Sequence, residues 1–120
     1  EFGQGSEIFL PKIKSYTINN IKESLIEILG NFEENNIGIR PGEKLHETLI
    51  NNEEIRYAWE YNDMYMITNP LYPLFHPDVI NNNYDGIKKI TNMNSYSSDK
   101  VDKINKMELI EIIKKSNILP

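Results

Sequence analysis

Apolar residues recur along this chain with two periods, and together they predict a small mixed structure. Ser6 to Leu10 is a short apolar run halted by Pro11, which has no amide hydrogen to give a ladder, so a strand should end there. Ile18, Ile21, Leu25, Ile28 and Leu29 then recur at spacings of three and four, while Lys22, Glu23 and Glu27 fall on the other face. That pattern predicts a helix, opened by Thr17 as N-cap and stopped by Gly30-Asn31. Residues 32 to 36 read as a polar connection, and Asn36 to Arg40 as a second short strand that hands Arg40 to a turn at Pro41-Gly42. A second helix is predicted from Gly42 to about Ile50, with Leu45, Leu49 and Ile50 on its buried side and Glu43 in the first turn, where the dipole favours an acid.

The second half is less regular. A helical turn is expected at Asn52 to Tyr57, and Trp59 to Tyr61 with Met64 to Thr68 flank the turn pair Asn62-Asp63, which predicts a hairpin. From Asn69 to Asn94 the prolines Pro70, Pro73 and Pro77 and the run Asn81-Asn82-Asn83 interrupt any regular element, so an extended segment is expected. Tyr96-Ser97-Ser98-Asp99 suits a cap or turn, and Met107 to Ser116 closes the chain as a helix carrying Leu109, Ile110, Ile112 and Ile113. No internal repeat is visible. The order predicts an α/β (α+β-like) small subdomain of short strands with about three helices.

Composition narrows the function classes. The 120 residues are 39% hydrophobic, enough for one modest core that buries roughly two-thirds of the unfolded surface. With 26% charged residues of both signs and a net charge of −5, nothing attracts phosphate backbones or anionic lipid at long range, so neither nucleic acid nor membrane is an expected partner. No apolar stretch approaches the roughly 20 residues that span a bilayer. Cysteine is absent, which removes disulfides and thiolate zinc chemistry and suits a reducing, cytoplasmic location. The chain opens on Glu1-Phe2-Gly3-Gln4-Gly5 with no initiator Met, so it reads as an excised piece, with Glu1-Phe2 fitting a cloning scar. The abundance of Asn, Ile and Lys reads as genomic bias.

Arg40-Pro41-Gly42-Glu43 is the most informative chemical feature. Pro41 favours an extended Arg40, Gly42 allows a tight turn, and a helix starting there would aim free N–H groups and a positive dipole end at the same space. Arg40 offers a planar fork for phosphate oxygens, and Glu43, an acceptor while ionised, suits ribose hydroxyls. The same four residues also fit a plain helix start with a surface Arg. Glu43, His46 and Glu47 share a face of the predicted helix but lack the second His of a zinc-protease helix, so a solvated face accounts for them better than a metal site. His76 has no acid or nucleophile near it in sequence. Gly3 and Gly5 give only a fragment of a dinucleotide loop, and Trp59, Tyr61, Tyr65 and Tyr72 read as core before they read as a stacking platform. The last helix should dock on its own domain.

Ile37 to Glu47 resembles the closing region of UDP-N-acetylglucosamine 4,6-dehydratases, which are extended short-chain dehydrogenases, and closest of all the inverting enzymes that begin pseudaminic-acid synthesis. Glu7-Ile8-Phe9-Leu10-Pro11-Lys12-Ile13 resembles the family's Glu-Ile-Phe-Val-Pro-Lys-Ile strand. Glu60 to Ile67 is similar to its acidic-aromatic segment, and Tyr96 to Asp99 with the final helix to its C-terminal end. The resemblance implies that the chain is the C-terminal nucleotide-sugar-binding subdomain, residues 1–120, of an enzyme whose Rossmann cofactor domain lies outside it. It implies UDP-N-acetylglucosamine as substrate, with Arg40 at the diphosphate and Glu43 at the ribose. It also implies an NADP-dependent reaction that takes a hydride from C4, eliminates water across C5 and C6 and returns the hydride to C6, with inversion at C5. The family's glycine-rich loop and Tyr-x-x-x-Lys pair are missing: Tyr84 and Lys88 match the spacing but follow the UDP motif instead of preceding it. No cofactor is therefore expected on this piece, no catalytic residue is assigned within it, and alone it should be inactive. Family enzymes are typically oligomeric, so a homo-oligomer is expected, and the alternative function is a non-catalytic assembly or nucleotide-sugar-binding module.

Overall fold

A computed structural model of the chain describes residues 3, 5–72, 76 and 80–119. The Glu1-Phe2 pair and the breaks expected at Pro73 and Pro77 lie outside the described residues. The chain divides into two compact units: a sheet unit of residues 1–13 and 47–100, and a helix unit of residues 14–46 and 101–120. Among the described residues no helix is long and apolar enough to cross a membrane.

In the sheet unit, β1 (Ile8–Pro11), β3 (Ala58–Tyr61), β4 (Met64–Ile67) and β5 (Lys88–Lys89) form one antiparallel sheet in the order β1-β4-β3-β5. The hairpin expected around Asn62-Asp63 is present. Both turn residues have positive φ, 47° and 59°, as a two-residue turn matched to strand twist requires. Pro11 ends the strand as expected, standing opposite Met64 as its last residue. An edge strand tolerates this, because an outward-facing amide has no ladder partner to lose.

Register explains the core. Phe9, Met66, Trp59 and Lys89 stand opposite one another across the four strands, so they form a row on one face of the sheet. Against that face packs α2 (Ile80–Asn83), and Met66, Ile80, Tyr84 and Ile87 form the buried cluster with Phe9, Trp59 and Tyr61 around it. The asparagine run thus supplies a helical turn, where the sequence predicts only extended chain. On the opposite face Tyr65 meets Tyr96 edge-on, ring centres 4.8 Å apart. Burial raises the Tyr65 phenol above its ordinary pKa, partly offset by the Lys12 ammonium 5.2 Å from its ring. A 3₁₀ turn at Glu54–Tyr57 sits where the helical turn was expected.

A second sheet pairs β2 (Thr48–Ile50) with β6 (Tyr96–Ser97), irregular between Thr48 and Ile50. The Tyr96 hydroxyl accepts from the Ile13 N–H at 2.6 Å and donates to the Ile13 carbonyl at 2.9 Å, so one phenol clips the segment leaving β1. Tyr96→Phe should lower stability by about 1–2 kcal/mol, because both backbone groups lose a partner. A smaller urea midpoint at unchanged slope is the expected readout.

In the helix unit, α1 (Ile18–Leu29) packs on α3 (Lys106–Ser116). Thr17 caps α1 as expected, accepting from the Asn20 amide, and the Gly30 N–H closes its end on the Ile26 carbonyl. Asn105 and Glu108 form a capping box on α3, a signal the sequence reading overlooked. On α3, Leu109, Ile110 and Ile113 are buried, but Ile112 is exposed. The fully buried residue of α1 is Ser24 and none of its leucines or isoleucines; its hydroxyl donates to the Asn20 carbonyl at 2.7 Å and reaches the Lys106 carbonyl at 3.5 Å. Ile18 and Leu29 are exposed. A Lys106–Glu27 ion pair at 2.6 Å joins the two helices, and its hydrogen bond raises the Lys106 pKa.

Candidate functional site

The predicted strand over Asn36 to Arg40 and helix over Gly42 to Ile50 do not form; every residue from 29 to 49 is exposed, and Thr48 to Ile50 is strand β2. Local chemistry explains both differences. Gly38 has φ +73° and its N–H donates to the Asn36 side chain at 2.9 Å, which curls the chain where a strand would run straight. Further on, Thr48 and Ile50 find ladder partners in Tyr96 and Ser97, about fifty residues away, a pairing that no local pattern announces.

What forms instead is a turn. The Glu43 N–H donates to the Arg40 carbonyl at 3.1 Å, and Gly42 has φ +87°. Proline at the second position and a positive-φ glycine at the third are the pattern of a type II turn. In return the Arg40 N–H donates to Glu43 Oε2 at 2.8 Å, while Arg40 Nε stands 3.9 Å from Glu43 Oε1. The two predicted site residues are therefore brought together, by a turn and not by a helix start. No helix N-terminus lies at Gly42, so positive charge at this site comes from side chains alone.

This geometry leaves useful valence. Arg40 and Glu43 side chains are 68% and 53% exposed, so their ion pair contributes no more than about 1 kcal/mol and yields readily to a ligand. The exposed guanidinium is a planar fork suited to two oxygens of a phosphate. A carboxylate has about four acceptor positions. Glu43 uses one on the turn itself and keeps others for hydroxyl donors. His46 and Glu47 are exposed but do not share a helix face with Glu43, and among the described residues no group of three His, Asp or Glu side chains could hold a metal.

Of the four aromatics, Tyr65 is buried, Trp59 and Tyr61 are half-buried, and Tyr72 is exposed. Tyr84 is buried in the core with its ring edge-on to Tyr61 at 5.3 Å, so the Tyr84–Lys88 spacing does not present an acid–base pair to a substrate. Gly3 and Gly5 lie just ahead of β1.

Residues 1–69, more than half of the chain and including the Arg40–Glu43 turn, match the family described as polysaccharide biosynthesis protein. The chain belongs to that family. Within the polysaccharide biosynthesis family, it is 36% identical over 97 residues to the UDP-N-acetylglucosamine 4,6-dehydratase (inverting) of Campylobacter jejuni subsp. jejuni serotype O:23/36 (strain 81-176), a match covering 79% of this chain and 28% of that protein. It is 33% identical over 101 residues to a UDP-glucose 4-epimerase of Rickettsia felis, covering 82% of this chain and 28% of the relative. The X-ray structure of Pen from Bacillus thuringiensis matches the fold with a TM-score of 0.76 and 29% identity, over 98% of this chain and 32% of that one. The chain thus spans about a third or less of the relatives it matches.

Proposed function

We propose that this chain is the nucleotide-sugar-binding part of a UDP-N-acetylglucosamine 4,6-dehydratase, with Arg40 gripping the UDP diphosphate and Glu43 the ribose hydroxyls. The observation that carries the reading is the exposed Arg40–Glu43 turn, in which a phosphate-binding fork and a hydroxyl acceptor are held side by side. It lies in the stretch that matches the polysaccharide biosynthesis family, and the similar Campylobacter protein carries the dehydratase name. Binding energy gathered on UDP, remote from the reacting carbons, orients the hexose for chemistry.

NADP, the hydride transfers it supplies and the catalytic acid–base belong to a Rossmann domain elsewhere in the complete protein. This chain's residues bind and orient. The 120-residue chain alone is expected to turn over no substrate. In the complete enzyme we expect C5 inversion, a cytoplasmic location and a homo-oligomer.

Arg40→Ala in the complete protein should raise the KM for UDP-N-acetylglucosamine about tenfold or more, the equivalent of one charged hydrogen-bonded contact of about 1.4 kcal/mol. Arg40→Lys should recover only part of it, because a point charge cannot fork. Unchanged substrate affinity in Arg40→Ala would remove the assignment, and an unchanged circular dichroism spectrum would show that any loss is not unfolding.

A further inference from the structure

The sheet unit contains a cleft that the UDP assignment does not use. It has a volume of about 420 Å³, at the lower end of small-molecule sites, with walls from Tyr57, Trp59 and Pro70. Arg56, His76 and Lys89 also line it, with Thr68, and no carboxylate does among the described residues. We propose that this cleft binds a small planar anion, an aromatic ring carrying a carboxylate or a phosphate.

Lys89 is the centre of the case. Register puts it directly opposite Trp59 on the neighbouring strand, and its ammonium lies 4.7 Å from the centre of the indole ring. The ammonium donates to the Arg56 carbonyl and, at 3.3 Å, to the Ala58 carbonyl. Its charge is therefore met by dipoles and a π-face, without a carboxylate among the described residues, although the chain as a whole is acidic. Burial accordingly lowers the Lys89 pKa from its ordinary value. An anion entering the cleft would restore the missing countercharge where water screens it less than at the open surface.

Two neighbours bear on that site. Arg56 pairs with Glu53 at 3.3 Å, both side chains being well exposed, a contact weak enough to be shared with a ligand. The Trp59 Nε1 is buried with no acceptor among the described residues, and leaving such a donor unsatisfied costs about 1–3 kcal/mol. The planar, apolar walls favour a flat ring over a bare ion, which water would retain.

Trp59 is the sole tryptophan, so the chain has a single indole N–H resonance and the site reports on itself. The chain is titrated with phenylacetate, with phenyl phosphate and with uncharged phenylacetamide while that resonance is followed by NMR. A saturable shift is expected with at least one anion, and whichever binds tells whether the natural ligand carries a carboxylate or a phosphate. Lys89→Gln should weaken it about tenfold, and Lys89→Arg should retain it. The proposal is overturned if phenylacetamide binds as well as the anions, or if neither anion saturates at concentrations on the order of 10 mM. It is also overturned if a folded Lys89→Gln chain binds unchanged. The comparison of charged with uncharged ligand needs no variant, so it stands even where a substitution disrupts folding.

Discussion

Tyr84→Ala is expected to cost about 3–5 kcal/mol and to leave the sheet unit largely unfolded, because removing a buried ring opens a cavity in the centre of a small core. Tyr84 is 1% exposed and sits with Met66 and Ile80 against the sheet face that carries Phe9 and Trp59. In a urea titration followed by Trp59 fluorescence, the midpoint should collapse toward zero denaturant. Tyr84→Phe keeps the ring and the buried volume and should cost far less. The pair also bears on chemistry. If Tyr84 were a catalytic phenol, Tyr84→Phe in the complete enzyme would abolish turnover with the fold intact; buried as it is, it should leave turnover near normal.

The second large effect is expected in the helix unit. Ser24→Leu places three extra carbons where α1 meets α3, at a residue with 0% exposure and a hydroxyl already bonded to the Asn20 carbonyl. Overpacking of this kind costs about 1–3 kcal/mol, and here the upper end is expected because Ser24 is fully buried. Loss of far-UV helix signal at a lower temperature than in the unaltered chain is the check. Ser24→Ala, which removes only a satisfied hydroxyl, should be nearly neutral by comparison.

Ser24 also shows what a sequence pattern can miss. The helix itself was legible, since apolar spacing, Thr17 and Gly30 agreed, but periodicity assigns the buried face to large side chains. Close approach of two helices selects a small residue instead. The hairpin was legible because Asn62-Asp63 carries its own turn chemistry. By contrast, Leu45, Leu49 and Ile50 have helical spacing yet lie in loop and strand, because β2 is defined by a partner far along the chain.

The same division runs through the candidate site. The closeness of Arg40 and Glu43 follows from four consecutive residues, and a type II turn delivers it. The helix N-terminus that should have accompanied it depended on residues after Glu43, which fold elsewhere. The cleft beside Lys89 left no local trace. Its members come from Arg56 to Pro70, from His76 and from Lys89, and only strand register puts the ammonium over the indole.

The helix unit is built from two stretches that the sheet unit separates, and Ser24 meets Lys106 across 82 positions. During synthesis α1 leaves the ribosome before α3, and everything between must be made before α3 arrives to cover it. At roughly 5–20 residues per second, that is a wait of about 4–16 seconds. Through that interval α1 is an amphipathic segment without its partner, too short to hold its shape well in water. Within the sheet unit, β3 and β4 are hairpin neighbours and need no such delay, although β1 also waits for β4. In the cell, then, α1 is made well before α3 but settles only with it.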